Sequence, residues 1–138
     1  MWAIELCRRT TAKKEQAWNL WVDVANWNRW DSTVKSSQLY GDFVTGAKGV
    51  VKLASGPKSK FVITDCKPFE TFTNKSFLPF CKVFFTLTLV ENQDELLVTY
   101  RQEMQGPLTF FFSRMMGKMM ANGLAKGLGD LIAKIEKG

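Results

Sequence analysis

Few side chains in this sequence are suited to proton chemistry. Among its 138 residues there is no histidine, so neither a Ser-His-Asp nor a Cys-His nucleophilic arrangement can be built, and the commonest metal ligand is missing. Cys7, Cys66 and Cys81 are an odd number without a C-x-x-C pair, which speaks against zinc and iron–sulfur sites. No histidine or helix start stands beside any of them to lower a thiol pKa. The groups left to move a proton or polarise a carbonyl are Tyr100, Gln102, Asn74, Asp65 and Arg101, and no two have a spacing that a reaction demands. A different chemistry is better supplied, the removal of an apolar ligand from water. Met115, Met116, Met119 and Met120 crowd one segment, and unbranched, polarisable methionine adapts to irregular apolar surfaces. Gly117, Gly123, Gly127 and Gly129 interrupt the same segment. Each destabilises a helix interior by about 1 kcal/mol relative to Ala, which close packing on a sheet or room for a ligand would offset.

These residues need elements to position them. Residues 2–7 alternate, with Trp2, Ile4 and Leu6 on one face and Ala3, Glu5 and Cys7 on the other, which predicts a half-buried strand. Thr11 can cap a helix beginning near Ala12, although Glu15 falls one position late for a capping box. The stripe Ala17, Trp18, Trp21, Val24, Ala25 has helical spacing. Trp27 and Trp30 follow at i, i+3 in a short turn, and are read as a structural plug in which each indole buries about 200 Å².

Six further strands are predicted at 34–40, 47–53, 60–66, 70–77, 80–90 and 95–105. Turn signals follow most of them, such as Gly41, Ser55-Gly56-Pro57, Lys67-Pro68, Leu78-Pro79 and Gly106-Pro107. Alternation places Cys81, Val83, Phe85, Leu87 and Leu89 inward, as well as Val98, Tyr100, Gln102 and Met104. Phe61, Ile63, Val51, Leu53 and Phe72 also face in, with Asn74 on the Phe72 parity. Cys7, Cys66 and Arg101 face out, and the strand 34–40 leaves its faces open. Buried hydroxyls and amides such as Tyr100 and Gln102 need partners, supplied by the fold or by the polar end of an otherwise apolar ligand.

From Gly106-Pro107 a helical pattern runs to about Lys137. Arg114, Lys118, Asn122, Lys126, Asp130 and Lys134 form one polar stripe, and Phe111, Phe112, the methionines, Leu124, Leu128, Leu131, Ile132 and Ile135 cover most of the rest. Thirty residues would span about 45 Å. Such a helix must lie on something apolar, and the inner face of the sheet is the large candidate. Phe110-Phe111-Phe112 beside Arg114 and Lys118 could enter a membrane surface, but packing under the sheet is the favoured reading. Strands followed by a segregated helix make the class α+β, and the length fits one domain, 1–138.

Hydrophobic residues are 46% and charged residues 23% of the chain, with a net charge of +6. The composition is globular rather than disordered, and no apolar run is long enough to span a bilayer. The basic residues are dispersed and read as solvated surface. No aromatic-rich basic strand of the RNA-binding type is present, so nucleic acid is not an expected partner. Reduced cysteines and the absence of a secretory leader predict a cytoplasmic location.

The element order, the Ala17-Trp18-x-x-Trp21 helix, the Asn26-Trp27-x-x-Trp30-Asp31 turn, the Gly46-Ala47 strand entry and Val98-Thr99-Tyr100 before the final helix resemble the START-like, or SRPBCC, superfamily. That group includes the polyketide cyclase/dehydrase and lipid-transport proteins, and the resemblance covers about residues 2–136. It implies a helix-grip fold: a curved, seven-stranded antiparallel sheet wrapped around the C-terminal helix, with a cavity between them for a hydrophobic molecule. Phe61, Phe72, Asn74, Val83, Phe85, Tyr100, Gln102, Met104, Phe112, Met115, Met116, Met119 and Gly123 would line it, with no cofactor and no metal. The expected activity is binding or carriage of a lipid, fatty acid or polyketide-like aromatic. The alternatives are a cyclase-like enzyme in the same cavity, or a protein or membrane interaction module without a ligand. Monomer and homodimer both stay open.

Overall fold

The computed structural model describes residues 2–54, 58–78 and 80–137. The expected turn at Ser55-Gly56-Pro57 and Pro79 lie outside the described residues. Strand β1 (Trp2–Thr10) leads into helix α1 (Lys14–Val22) and a 3-10 segment (Val24–Arg29). Strands β2 (Val34–Tyr40), β3 (Lys48–Leu53), β4 (Lys58–Lys67), β5 (Thr71–Leu78), β6 (Cys81–Asn92) and β7 (Glu95–Gln105) follow, and helix α2 (Thr109–Glu136) ends the chain. The strands form one antiparallel sheet in the order β1-β7-β6-β5-β4-β3-β2. Consecutive strands pair as a meander from β2 to β7, and β1 closes on β7. The sheet is curved and α2 lies against its inner face, the helix-grip arrangement.

Three local expectations are corrected. The cap of α1 is not Thr11: Gln16 Oε1 accepts from the Lys13 N–H at 2.8 Å, and Thr10 Oγ1 accepts from the Ala12 N–H. Leu53, expected inward, sits at the end of β3 and is exposed. Cys66, expected outward, is half-buried against the core. The cause is a β-bulge between Ile63 and Asp65, where Ile63 pairs with Asn74 but Asp65 pairs with Thr73. One extra residue reverses the parity beyond it, so Cys66 turns in and Asp65 turns out. Burial raises the Cys66 thiol pKa, which keeps it unreactive.

The core centres on Trp21. Its ring lies 5.1 to 5.7 Å, centroid to centroid, from those of Trp27, Trp30, Phe72, Phe85 and Tyr100. Leu124, Leu128, Leu131, Ile132 and Ile135 of α2 close this cluster from above. Polar bonds fix the C-terminal half of α2. Thr10 Oγ1 donates to Glu136 at 2.9 Å, and the N–H and hydroxyl of Ser32 both donate to Asp130. A second, smaller cluster joins Cys81, Val83, Met104 and Phe112, with Trp2, Met116 and Met120 against it. Gly49 explains one tight crossing: a Cβ there would stand 2.5 Å from the Gln38 carbonyl oxygen and 2.6 Å from the Phe61 ring.

Candidate ligand-binding site

Strand register sets three adjacent cross-strand rows on the inner face of the sheet. One row is Phe72, Leu87, Tyr100 and Leu6, and it is closed: Phe72 and Leu87 are 0% exposed and Tyr100 2%. A second is Phe61, Ser76, Val83, Met104 and Trp2, with Met104 fully buried. Between them runs Ile63, Asn74, Phe85, Gln102 and Ile4. Asn74, Phe85 and Gln102 occupy the three central strands of that half of the sheet, where cover should be deepest, yet all three are only half-buried. Among the described residues neither amide side chain has a hydrogen-bond partner.

The opening follows from where the covering elements sit. Helix α2 lies over β1 and β7. Trp18 and Trp21 of α1 cover Phe72. Along α2, Phe112, Met116 and Met120 meet the smaller cluster, and Leu124 already belongs to the larger one. Gly123 falls between these two footings. A Cβ built on it meets nothing within 4 Å. The middle row is therefore flanked by two apolar rows, and Gly123 leaves α2 without a side chain between its two footings.

One end of the row adjoins a buried polar cluster. Phe85 contacts both Tyr100 and Trp21, at 5.0 and 5.2 Å between centroids. Tyr100 Oη, Trp21 Nε1 and Trp30 Nε1 are all buried without a well-formed hydrogen bond, although the Trp21 indole N–H stands near enough to the Tyr100 oxygen to oppose the rise in its pKa. By contrast, Trp27 Nε1 donates to the Trp21 carbonyl at 2.9 Å and its ring stacks on Phe61, consistent with a plug. Asp31 completes the cluster. Its Oδ1 accepts from the Thr33 N–H and hydroxyl at 2.9 and 2.6 Å, while its Oδ2 faces α2, where a Cβ on Gly127 would come within 3.4 Å. Burial raises the Asp31 pKa, and the bonds from Thr33 only partly offset that. Burial, with the charge of Asp31 beside it, pushes Tyr100 well above the ordinary phenol range. Tyr100 therefore remains a protonated donor at any physiological pH. Donors without a well-formed bond in a desolvated place suit a ligand group that only accepts, such as a carbonyl oxygen.

The structure thus brings Val83, Met104, Phe112 and Met116 together on one side of the middle row and Phe72 and Tyr100 on the other, with Asn74, Phe85 and Gln102 between; nothing within 4 Å of its Cβ position ties Gly123 to this group. Phe61 lies under the 3-10 segment, in the closed core. Met115 and Met119 do not join: they are 60% and 51% exposed on the outer face of α2. They stand one residue from Met116 and Met120, which a helix turns through about 100°. Asp65 and Arg101 lie on the opposite face of the sheet, bordering a shallow hollow of about 270 Å³, where Arg101 bonds Glu103 at 2.9 Å. They cannot act with Tyr100. Asp31, Trp21 and Trp30 were not among the expected site residues. The signal available was the Trp30-Asp31 dipeptide, a carboxylate placed directly after a core aromatic.

Among the described residues, no group of three His, Cys, Asp or Glu could hold a metal ion, and no helix is long and apolar enough to cross a membrane. The family described as polyketide cyclase/dehydrase and lipid transport matches residues 1–136. No curated protein matches the chain. The fold is similar to that of XoxI from Bacillus cereus, with a TM-score of 0.75 at 14% identity over 98% of this chain and 96% of that one. A hypothetical protein of Helicobacter pylori superposes with a TM-score of 0.81 at 10% identity, over 96% of this chain and 86% of that one. Norcoclaurine synthase from Thalictrum flavum, solved with dopamine and hydroxybenzaldehyde, superposes at 0.73 with 12% identity, over 96% of this chain and 84% of that one. At these identities the likeness is one of fold.

Proposed function

The chain belongs to the polyketide cyclase/dehydrase and lipid-transport family, and from that premise we propose that it binds and carries a hydrophobic small molecule, a lipid, fatty acid or polyketide-like aromatic, between the sheet and α2. The observation that carries this reading is the half-open middle row, a gap in apolar cover at the centre of a sheet. Val83, Met104, Phe112 and Met116 would form one wall and Phe72 the other, with Phe85 between them. Asn74 and Gln102 would bind polar groups near the entrance, and Tyr100 an acceptor at the closed end. Each Å² of apolar ligand surface removed from water contributes about 25 cal/mol. About 300 Å² would then supply roughly 7 kcal/mol before the losses of association. The reading places the protein in the cytoplasm, in keeping with three unpaired cysteines.

A cyclase-like enzyme is the second reading, favoured by one observation. Tyr100 is a buried neutral donor beside a buried carboxyl, an arrangement that can polarise a carbonyl. Native mass spectrometry of freshly purified protein, followed by extraction and challenge with mixed lipids and aromatics, tests the binding proposal. A bound species, or uptake during the challenge, is expected. A protein that stays ligand-free throughout would overturn it. Turnover of one narrow aromatic substrate, abolished in Tyr100→Phe, would move the assignment to the enzyme.

A further inference from the structure

One end of the molecule exposes large apolar side chains in a group. Phe77 and Phe80 project from the β5–β6 hairpin, Leu108 from the residue just before α2, and Phe110, Phe111, Met115 and Met119 from the first half of α2. Phe80 and Phe110 are 76% and 71% exposed. The two segments are joined: the Leu108 N–H donates to the Phe80 carbonyl at 3.5 Å, and Gly106, at φ +127°, packs against the Phe80 backbone. Isolated exposed apolar residues are ordinary, whereas a contiguous group of this kind marks a contact surface. Phe80 also has φ +55°, a left-handed conformation that disfavours bulky residues. An aromatic ring is thus held in water on a backbone better suited to glycine.

The charge around this group has one sign. Lys75, Lys82, Arg114, Lys118 and Lys126 fall within 71–90 and 104–129, and neither stretch contains an Asp or Glu. Glu103, the acid next to the second stretch, is bound to Arg101. Two of these cations stand at the level of the rings: Lys75 Nζ lies 5.3 Å from the Phe77 centroid and the Arg114 guanidinium 5.4 Å from that of Phe110. A hollow of about 460 Å³ lies between the hairpin and the turn after β7, bordered by Phe77, Phe80, Lys82 and Pro107. Apolar side chains to enter an acyl layer, ringed by cations to meet anionic headgroups, are the two requirements of an interfacial anchor. A second copy of the chain fits poorly, because a two-fold contact through this patch would set the same cations against each other.

We propose that this end of the molecule docks peripherally on an anionic lipid surface, with Phe80, Phe110 and Phe111 entering the acyl boundary and Lys82, Arg114 and Lys118 meeting headgroup phosphates. The proposal does not depend on the protein carrying a ligand. It is tested by flotation of the full chain with phosphatidylcholine vesicles and with vesicles in which roughly a third of the lipid is phosphatidylserine. The expected result is binding to the anionic vesicles only, weakened by salt. Phe110→Ser/Phe111→Ser should lose most of the bound fraction. Arg114→Gln/Lys118→Gln should lose about five-fold in partition for each charge removed. These side chains are outside the core, so thermal melts should match the parent. If the Phe variant nevertheless misfolds, the charge variant carries the test. No flotation, equal flotation with neutral lipid, or variants that bind as the parent does would overturn the proposal. So would sedimentation as a dimer that Phe110→Ser/Phe111→Ser dissociates, or binding to an acidic protein in place of vesicles.

Discussion

The two ends of α2 meet the sheet in different ways. From Leu124 onward the helix buries Leu124, Leu128, Leu131, Ile132 and Ile135 in the aromatic cluster around Trp21, and side-chain bonds at Asp130 and Glu136 fix its position. From Thr109 to Met120 it buries Phe112, half-buries Met116 and Met120, and leaves Phe110, Phe111, Met115 and Met119 in water. One end uses rigid rings with many neighbours. The other uses flexible methionines over a thin cluster. The C-terminal half is where the fold is held, and the N-terminal half is where the exposed apolar surface lies. The half-open row falls at the join between them.

The largest effect should separate these ends directly. Trp21→Ala removes a ring packed against five others and is expected to lose about 3–5 kcal/mol, a large share of a domain's net stability. Met116→Ala, at a half-buried position in the thin cluster, should lose about 1 kcal/mol. Denaturant titration of both variants checks the pair, and equal losses would end the distinction between the two halves. Tyr100→Phe comes next. It deletes a buried hydroxyl that makes no well-formed hydrogen bond in the ligand-free protein, so stability should hold or rise by up to about 1 kcal/mol. Affinity for a carbonyl-bearing ligand should fall about ten-fold. A fall in stability would mean that the hydroxyl is structural.

Two glycines refine the comparison. Gly123 faces open space, so Gly123→Ala should stabilise the helix by about 1 kcal/mol without clash. Gly127 faces the Asp31 carboxyl at 3.4 Å from the Cβ position, so Gly127→Ala should gain little or lose. Gly123→Leu should additionally block ligand uptake. A titration in which both alanine variants gain equally would place Asp31 away from the helix.

How far the sequence carried the fold depended on which signals are local. Alternation is local, so the inward faces of β6 and β7 were legible down to Val83, Tyr100 and Met104. It failed where the count broke, because Thr64 at the bulge is an ordinary strand residue that gives no warning of the shift beyond it. The helical segment was legible as apolar, but residues 111, 115 and 119 are as apolar as 112, 116 and 120. Hydrophobicity could not tell the sheet-facing stripe from the exposed one. The middle row was legible as inward but not as half-open. That property comes from α2 resting on β1 and β7 rather than on β5 and β6, a relation between elements distant in the chain. Asp31 read as part of a turn because Asp commonly stands in turns, and its burial depends on Gly127, 96 positions later.

Asp31 supplies the smallest expected effect and tests whether the closed end is as desolvated as its packing implies. Its carboxyl is held above the ordinary value of 3.8, chiefly by burial. The native state therefore holds that proton more tightly than the unfolded chain does. Below pH 3.8 both states are protonated and the native advantage is complete. As pH rises through the raised native pKa, the unfolded chain releases its proton first and the advantage is lost. Asp130 adds to the upward shift, while Lys126 and the bonds from Thr33 oppose it. Asn keeps an oxygen for the Thr33 N–H and hydroxyl but has no proton to release. Asp31→Asn should therefore melt a few degrees above the parent at neutral pH, about 2 °C. The gap should narrow as the pH falls toward 3.8. Other carboxylates titrate in both proteins, so the difference isolates this one. A gap that does not depend on pH would mean that water reaches Asp31, and that the end of the site beside Tyr100 is open too.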